Sequence, residues 1–133
     1  MATNAQKSEV QIRVRYAECD AMGLLHHAKY FEYLEVSRTE LLRASGISYR
    51  EMEEQGFFFV VAKIGIRYRA PIRYDDVVTI HTEVERITRT RVDHNYRIIN
   101  NGVLSTEATS TLACVDRNGK PILMPETLWT EEG

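Results

Sequence analysis

Apolar and polar residues alternate near the start of the chain and again throughout its second half; between the two stretches the period lengthens. In "VQIRVRY", Val10, Ile12, Val14 and Tyr16 fall on one face and Gln11, Arg13 and Arg15 on the other. That is the pattern of a half-buried strand. "AECDAMG" follows as a loop. From about His27, Tyr30, Leu34, Ser37 and Leu41 recur at steps of four, three and four, with Phe31, Val36 and Leu42 widening the apolar face. Glu32, Glu35, Thr39 and Arg43 form the opposite polar stripe, so the segment predicts an amphipathic helix of about five turns. Gly46 closes it, and Ser48 reads as the N-cap of a short helix, "YREMEEQ", that ends at Gly56.

Everything after Gly56 predicts sheet. "FFFVVAKIGIRYRA" is long and rich in β-formers, and Pro71 with the Asp75-Asp76 pair marks a bend. "VVTIHTEVERI" and "TRVDHNYRII" follow as a hairpin, and Asn101-Gly102 is the strongest hairpin signal in the chain. "VLSTEATSTLACVD" is the next strand, ended by the Asn118-Gly119 turn, with "KPILMP" as a short final strand or extended tail. One face of that strand reads Leu104, Thr106, Ala108, Ser110, Leu112, Cys114, small at its centre. Such a face lets a bulky helix approach, so the long helix is predicted to lie across a curled antiparallel sheet of about five strands. The order of strand, helix, then four strands gives an α+β fold.

Composition narrows the possibilities. The 133 residues suggest one domain spanning 1–133, with residues 1–9 polar and expected to fray. A net charge of -2 gives no electrostatic reason to expect a nucleic-acid partner. Two cysteines without a CxxC pattern point to a reduced, cytoplasmic setting. "MATNAQKSEV" is not the pattern of a signal peptide, and the longest apolar run, "FFFVVA", is too short to span a membrane.

The chemistry concentrates in "ECDAMGLLHHAKYFEYLEVSRTELL", which places Asp20, Gly23, His26 and His27 just ahead of the helix. A plain reading makes Asp20 a loop or capping acid and the histidines space-fillers. The sharper reading makes the helix N-terminus an anion-stabilising site beside a carboxylate. A metal pair at His26 and His27 is disfavoured, because adjacent side chains diverge in most backbones and no nearby acid or thiol cluster completes a site. Cys19 beside Asp20 is a poor nucleophile, since a neighbouring acid disfavours the thiolate. Glu35 and Arg38 read as a surface or dimer ion pair, and His81 and His94 as structural or surface residues on strands.

"RYAECDAMGLLHHAKYFEYLEVSRTELL" and "IRYRAPIRYDDVVTIHTEV" resemble the hotdog-fold acyl-CoA thioesterases, in particular the 4-hydroxybenzoyl-CoA thioesterase/YbgC-like group, over roughly residues 10 to 125. The first motif, D-x-x-G-x-x-x-H joined to the helix pattern, is the more specific of the two. The resemblance implies a helix wrapped by the sheet, a homo-oligomer (a dimer or a dimer of dimers) and hydrolysis of acyl-CoA thioesters with no metal and no cofactor. It places the catalytic acid on Asp20, as general base or nucleophile, and the loop glycine on Gly23. The helix-start N–H that meets the thioester oxygen falls on His27. His26 stands where many relatives carry Tyr, and Met22 where many carry Gly, which bears on acyl preference. CoA phosphates need basic partners, for which Lys63 and Arg91 are the candidates, with Arg89 beside them and the Arg67, Arg69, Arg73 cluster as an alternative. The competing expectations are a hotdog hydratase, a non-catalytic acyl-CoA-binding hotdog protein and a thioesterase acting on acyl carrier protein.

Overall fold

The computed structural model describes residues 7–126. Strand β1 (Lys7–Arg13) leads through a 3-10 turn (Tyr16–Glu18) and a loop into helix α1 (His27–Ala44) and the short helix α2 (Tyr49–Glu54). Four strands follow: β2 (Phe58–Tyr68), β3 (Val77–Ile87), β4 (Arg91–Asn100) and β5 (Val103–Val115). They form one sheet in the order β1-β3-β4-β5-β2, and every pairing is antiparallel. β4 and β5 join through Asn101-Gly102, both at positive φ, as a two-residue hairpin of this twist requires.

Alternation carries directly into burial. Val78, Ile80 and Thr82 of β3, Val92, His94, Tyr96 and Ile98 of β4, and Thr106, Ala108, Ser110, Leu112 and Cys114 of β5 are buried on the face toward the helix. Leu34 and Ser37 of α1 are fully buried against it, and Ser37 Oγ hydrogen-bonds Thr82 Oγ1. The small residues of β5 serve a neighbour other than the one foreseen. α1 runs closest to β1 and β3, while Tyr96 lies opposite Ala108 and its hydroxyl meets Ser110 Oγ at 2.6 Å. The small face therefore makes room for a tyrosine ring rather than for the helix backbone.

Two boundaries and one buried face differ from the sequence reading. β1 begins at Lys7 and takes in Lys7, Ser8 and Glu9, because each pairs with β3; residues 1–6 lie outside the described residues. β1 also ends at Arg13, since Glu18 accepts the Arg15 N–H at 2.9 Å and closes a turn that leaves Tyr16 exposed. On α1, Tyr33 is buried while Phe31 and Val36 are 41% and 44% exposed. A 3.6-residue period fixes the centre of the buried arc, and the position of the sheet decides which flank joins it. "KPILMP" adds an isolated bridge from Pro121 to Val115, with the Met124 N–H on Arg89 O.

β2 is an edge strand, with a bulge between Val61 and Lys63 and with Val60 and Val61 about half exposed. Within one chain Val60 and Val61 are therefore left uncovered, while Phe57 and Phe59 pack against the core. No helix among the described residues is long and apolar enough to cross a membrane.

His94 is 6% exposed, and its Nδ1 has no hydrogen-bond partner among the described residues. Burial first, and then the nearby Arg38 charge, hold its pKa down to about 4, with Asp93 opposing. Arg38 thus turns inward, its Nη1 buried without a partner among the described residues, instead of pairing with Glu35 at the surface. Between pH 6.5 and about 4 the unfolded chain binds a proton that the folded chain refuses. Stability is therefore complete above that window and lost as pH falls through it, by roughly 3 kcal/mol in total. Urea denaturation of wild type and His94→Leu across this window checks the prediction. The variant should show a flatter dependence, and an equally steep one would refute the assignment to His94.

Candidate active site

The loop ahead of α1 is a small antiparallel ribbon. The His26 N–H donates to Glu18 O at 2.9 Å, Cys19 bridges Leu25, and the Asp20 N–H donates to Leu24 O at 2.8 Å. Its tip is a turn with Asp first and Gly fourth, closed by the Gly23 N–H on Asp20 O at 3.0 Å. Gly23 has φ +81, and nothing lies within 4 Å of where a Cβ would be. It is needed for its backbone conformation, not for close packing. The outer edge of the ribbon is pinned by the Leu25 N–H on Ile72 O at 2.7 Å and by the Tyr74 N–H on Gly23 O at 3.1 Å.

This geometry fixes the Asp20 carboxylate. Oδ1 accepts the N–H groups of Met22 at 2.8 Å and Leu24 at 3.1 Å. Oδ2 takes no hydrogen bond among the described residues, and the residue is exposed. One oxygen is an anchor and the other is available for chemistry.

The helix start is equally selective about its amides. His26 is the N-cap in extended conformation, and its Nδ1 accepts the Ala28 N–H at 3.2 Å. The Lys29 N–H donates to His26 O and the His26 N–H to Glu18 O. The His27 N–H is left with no acceptor among the described residues. It points the partial positive charge of the helix N-terminus at solvent. The two imidazoles do not diverge: they stack with centroids 4.4 Å apart, because the His26 ring turns back over the first turn to cap it. Among the described residues no group of three or more His, Cys, Asp or Glu side chains is placed to hold a metal ion.

Beneath the ribbon lies a residue that the sequence reading passed over. Glu18 is 5% exposed. Its Oε1 accepts from Tyr33 OH at 2.6 Å and from the Arg15 N–H at 2.9 Å, and Oε2 accepts from the Arg15 guanidinium at 2.9 Å. Burial pushes this carboxyl up, but the bonds from Tyr33 and Arg15 outweigh it and hold the pKa below the usual range. Burial and the Glu18 bond push Tyr33 well up. The only sequence signal was an acid two residues before Asp20, indistinguishable from a solvated loop acid. Cys19 donates weakly to Arg15 O, and burial, Asp20 and Glu18 push its thiol up, which disfavours a thiolate nucleophile.

The structure brings Asp20, Gly23, His26 and His27 together, but within one chain it does not bring Lys63 or Arg91 to them. Both are exposed and their register places them on the sheet face away from the helix: Lys63 opposite Thr111, Arg91 opposite Ala113. Arg91 begins β4 at the end of the sheet remote from Asp20, about 30 Å from Asn100 at the rise of an extended strand. Among the alternative arginines, Arg69 is paired with Glu107 at 3.0 Å, and Arg73 lies beside the loop, bridged to Leu24.

A long helix wrapped by this five-stranded antiparallel sheet, with a carboxylate ribbon at the helix N-terminus, defines a hotdog thioesterase, a hydrolase of thioesters. The chain belongs to the thioesterase-like superfamily, whose family model matches residues 14–129. It is 40% identical to the putative acyl-CoA thioesterase YneP of Bacillus subtilis, covering 86% of this chain and 85% of that one. It is 35% identical to the acyl-CoA thioester hydrolase YbgC of Escherichia coli, covering 90% and 91%. Among solved structures, the DHNA-CoA thioesterase of Staphylococcus aureus superposes with a TM-score of 0.86 at 35% identity, covering 88% and 80%.

Proposed function

We propose that the protein hydrolyses acyl-CoA thioesters to the free acid and CoA, with Asp20 and the His27 N–H as its working groups. One observation carries this reading: the free Asp20 oxygen stands on the ribbon that runs directly into α1, whose first amide, that of His27, is left without an acceptor among the described residues. Asp20 Oδ2 either takes a proton from water as it attacks the carbonyl carbon, or attacks directly to form a mixed anhydride that water then cleaves. In both routes the carbonyl oxygen becomes negative, the C–S bond breaks and the CoA thiolate leaves and is protonated. The His27 N–H, at the positive end of the helix, meets that developing charge. Gly23 holds the turn, and the His26 ring lines the approach to it.

The uncovered β2 edge, with Val60 and Val61 half exposed, supports assembly as a homo-oligomer through paired β2 strands. A two-fold pairing runs β2 antiparallel to its copy. The Arg91 end of one chain then lies at the Asp20 end of the other, which is how Lys63 and Arg91 would serve CoA phosphates. Thiol release from a panel of acyl-CoAs tests the reaction. In the same assay, Lys63→Ala and Arg91→Ala should raise KM severalfold and leave kcat unchanged. No thiol release by folded protein that binds the esters would favour a binding role, and an unchanged KM in both variants would remove the two residues from the site.

A further inference from the structure

The ribbon that carries Asp20 is tied at two places, once across its own base and once to α1, and both ties belong to one residue. The main-chain oxygen of Glu18 takes the His26 N–H, immediately before the free His27 amide. Its side chain takes Tyr33 OH from the body of the helix, in a buried bond of 2.6 Å. Tyr33 is itself 3% exposed and packed in the core with Leu34, Ile80 and Tyr96. The carboxylate is a poor second base, because both its oxygens already accept hydrogen bonds and its side chain is only 6% exposed. The Arg15 side chain that completes its shell is 77% exposed. The ion pair is open to solvent on the arginine side, so Arg15 holds the Oε2 side of the carboxylate without fixing it to the core. The rigid member is Tyr33.

We propose that Glu18 is a positioning residue: clamped to Tyr33, it sets the spacing between the Asp20 carboxylate and the His27 N–H. Its kinetic part rests on the reading that those two groups act on the thioester. The clamp explains why an ionised carboxylate is buried here at all. A core built for packing alone would carry an apolar side chain at that place, as buried unpaired charge is avoided. It also joins the two halves of the proposed chemistry, since releasing Tyr33 frees the ribbon to move relative to the helix end. Misplacement of a reacting group by about 1 Å can lower rates by about a hundredfold.

Tyr33→Phe keeps the ring and removes only the clamp, and Glu18→Gln keeps an oxygen for Tyr33 but loses the charge. The test joins amide hydrogen exchange by NMR with steady-state kinetics on the full chain. In Tyr33→Phe the His26, Asp20 and Leu24 amides should exchange at least tenfold faster than in wild type, with the β4 and β5 amides unchanged. The same variant should lose about ten- to a hundredfold in kcat with KM within about threefold, and Glu18→Gln should lose less. Unchanged exchange at the ribbon would overturn the clamp, as would faster exchange throughout the sheet, which would mean a merely structural bond. Faster ribbon exchange with full kcat would overturn its kinetic role. If wild type releases no thiol from any acyl-CoA, the thioesterase reading fails and the positioning role with it, while the exchange measurement still decides whether Glu18 anchors the ribbon.

Discussion

Asp20→Asn is expected to lower kcat by about 10²- to 10⁴-fold, the range for loss of a positioned base or nucleophile, without disturbing the fold. The substitution is selective because the two carboxylate oxygens have different duties. The amide oxygen of Asn can still accept the Met22 and Leu24 N–H groups that hold the turn. The nitrogen that replaces Oδ2 can neither take a proton from water nor attack a carbonyl. Asp20→Ala removes both duties and should also loosen the turn, so it is the less informative variant. Thiol release with circular dichroism and a denaturation midpoint on each variant checks the result. Turnover within tenfold of wild type in a folded Asp20→Asn protein would transfer the role of base to another group, with the His26–His27 pair the nearest one.

The second large effect separates a backbone donor from a side chain. His27→Ala keeps the N–H and should lose little, whereas His27→Pro removes it and should lower kcat by about 10²- to 10³-fold, as for one oxyanion donor. Proline is well tolerated at this position for three reasons. The first helical residue has no intrahelical bond to lose, proline's φ suits it, and its predecessor must be extended. His26 already has φ -65 and ψ 137, and the His27 N–H has no partner to forfeit among the described residues. Comparable losses in the two variants would make the imidazole, not the amide, the working group.

Much of this arrangement was legible because it is local. The strands over β3, β4 and β5 follow from alternation, the hairpin from Asn101-Gly102, and α1 with its Ser48-capped successor from a change of period. Asp20, Gly23, His26 and His27 stood out because they belong to one turn and one helix start, and the roles proposed for them came from the family resemblance. Glu18 escaped because its value depends on Tyr33, which stands on the far side of the loop. Arg38 escaped likewise: it looked like a residue of an exposed helix face until helix and sheet were packed together, whereas His94, read as either structural or surface, is structural.

By itself the sequence determined the elements, since short-range periodicity and turn chemistry act within a few residues, while the hotdog class came from the resemblance of two motifs to a known family. Only the tertiary structure decided that Tyr33 rather than Phe31 flanks the buried face of α1 and that β2 is a bare edge. It alone placed Lys63 and Arg91 away from Asp20 in one chain, and set a buried carboxylate beneath the ribbon. Those outcomes depend on which surfaces meet across the fold. Burial and hydrogen bonding between distant residues are properties of that meeting, and no local pattern encodes them.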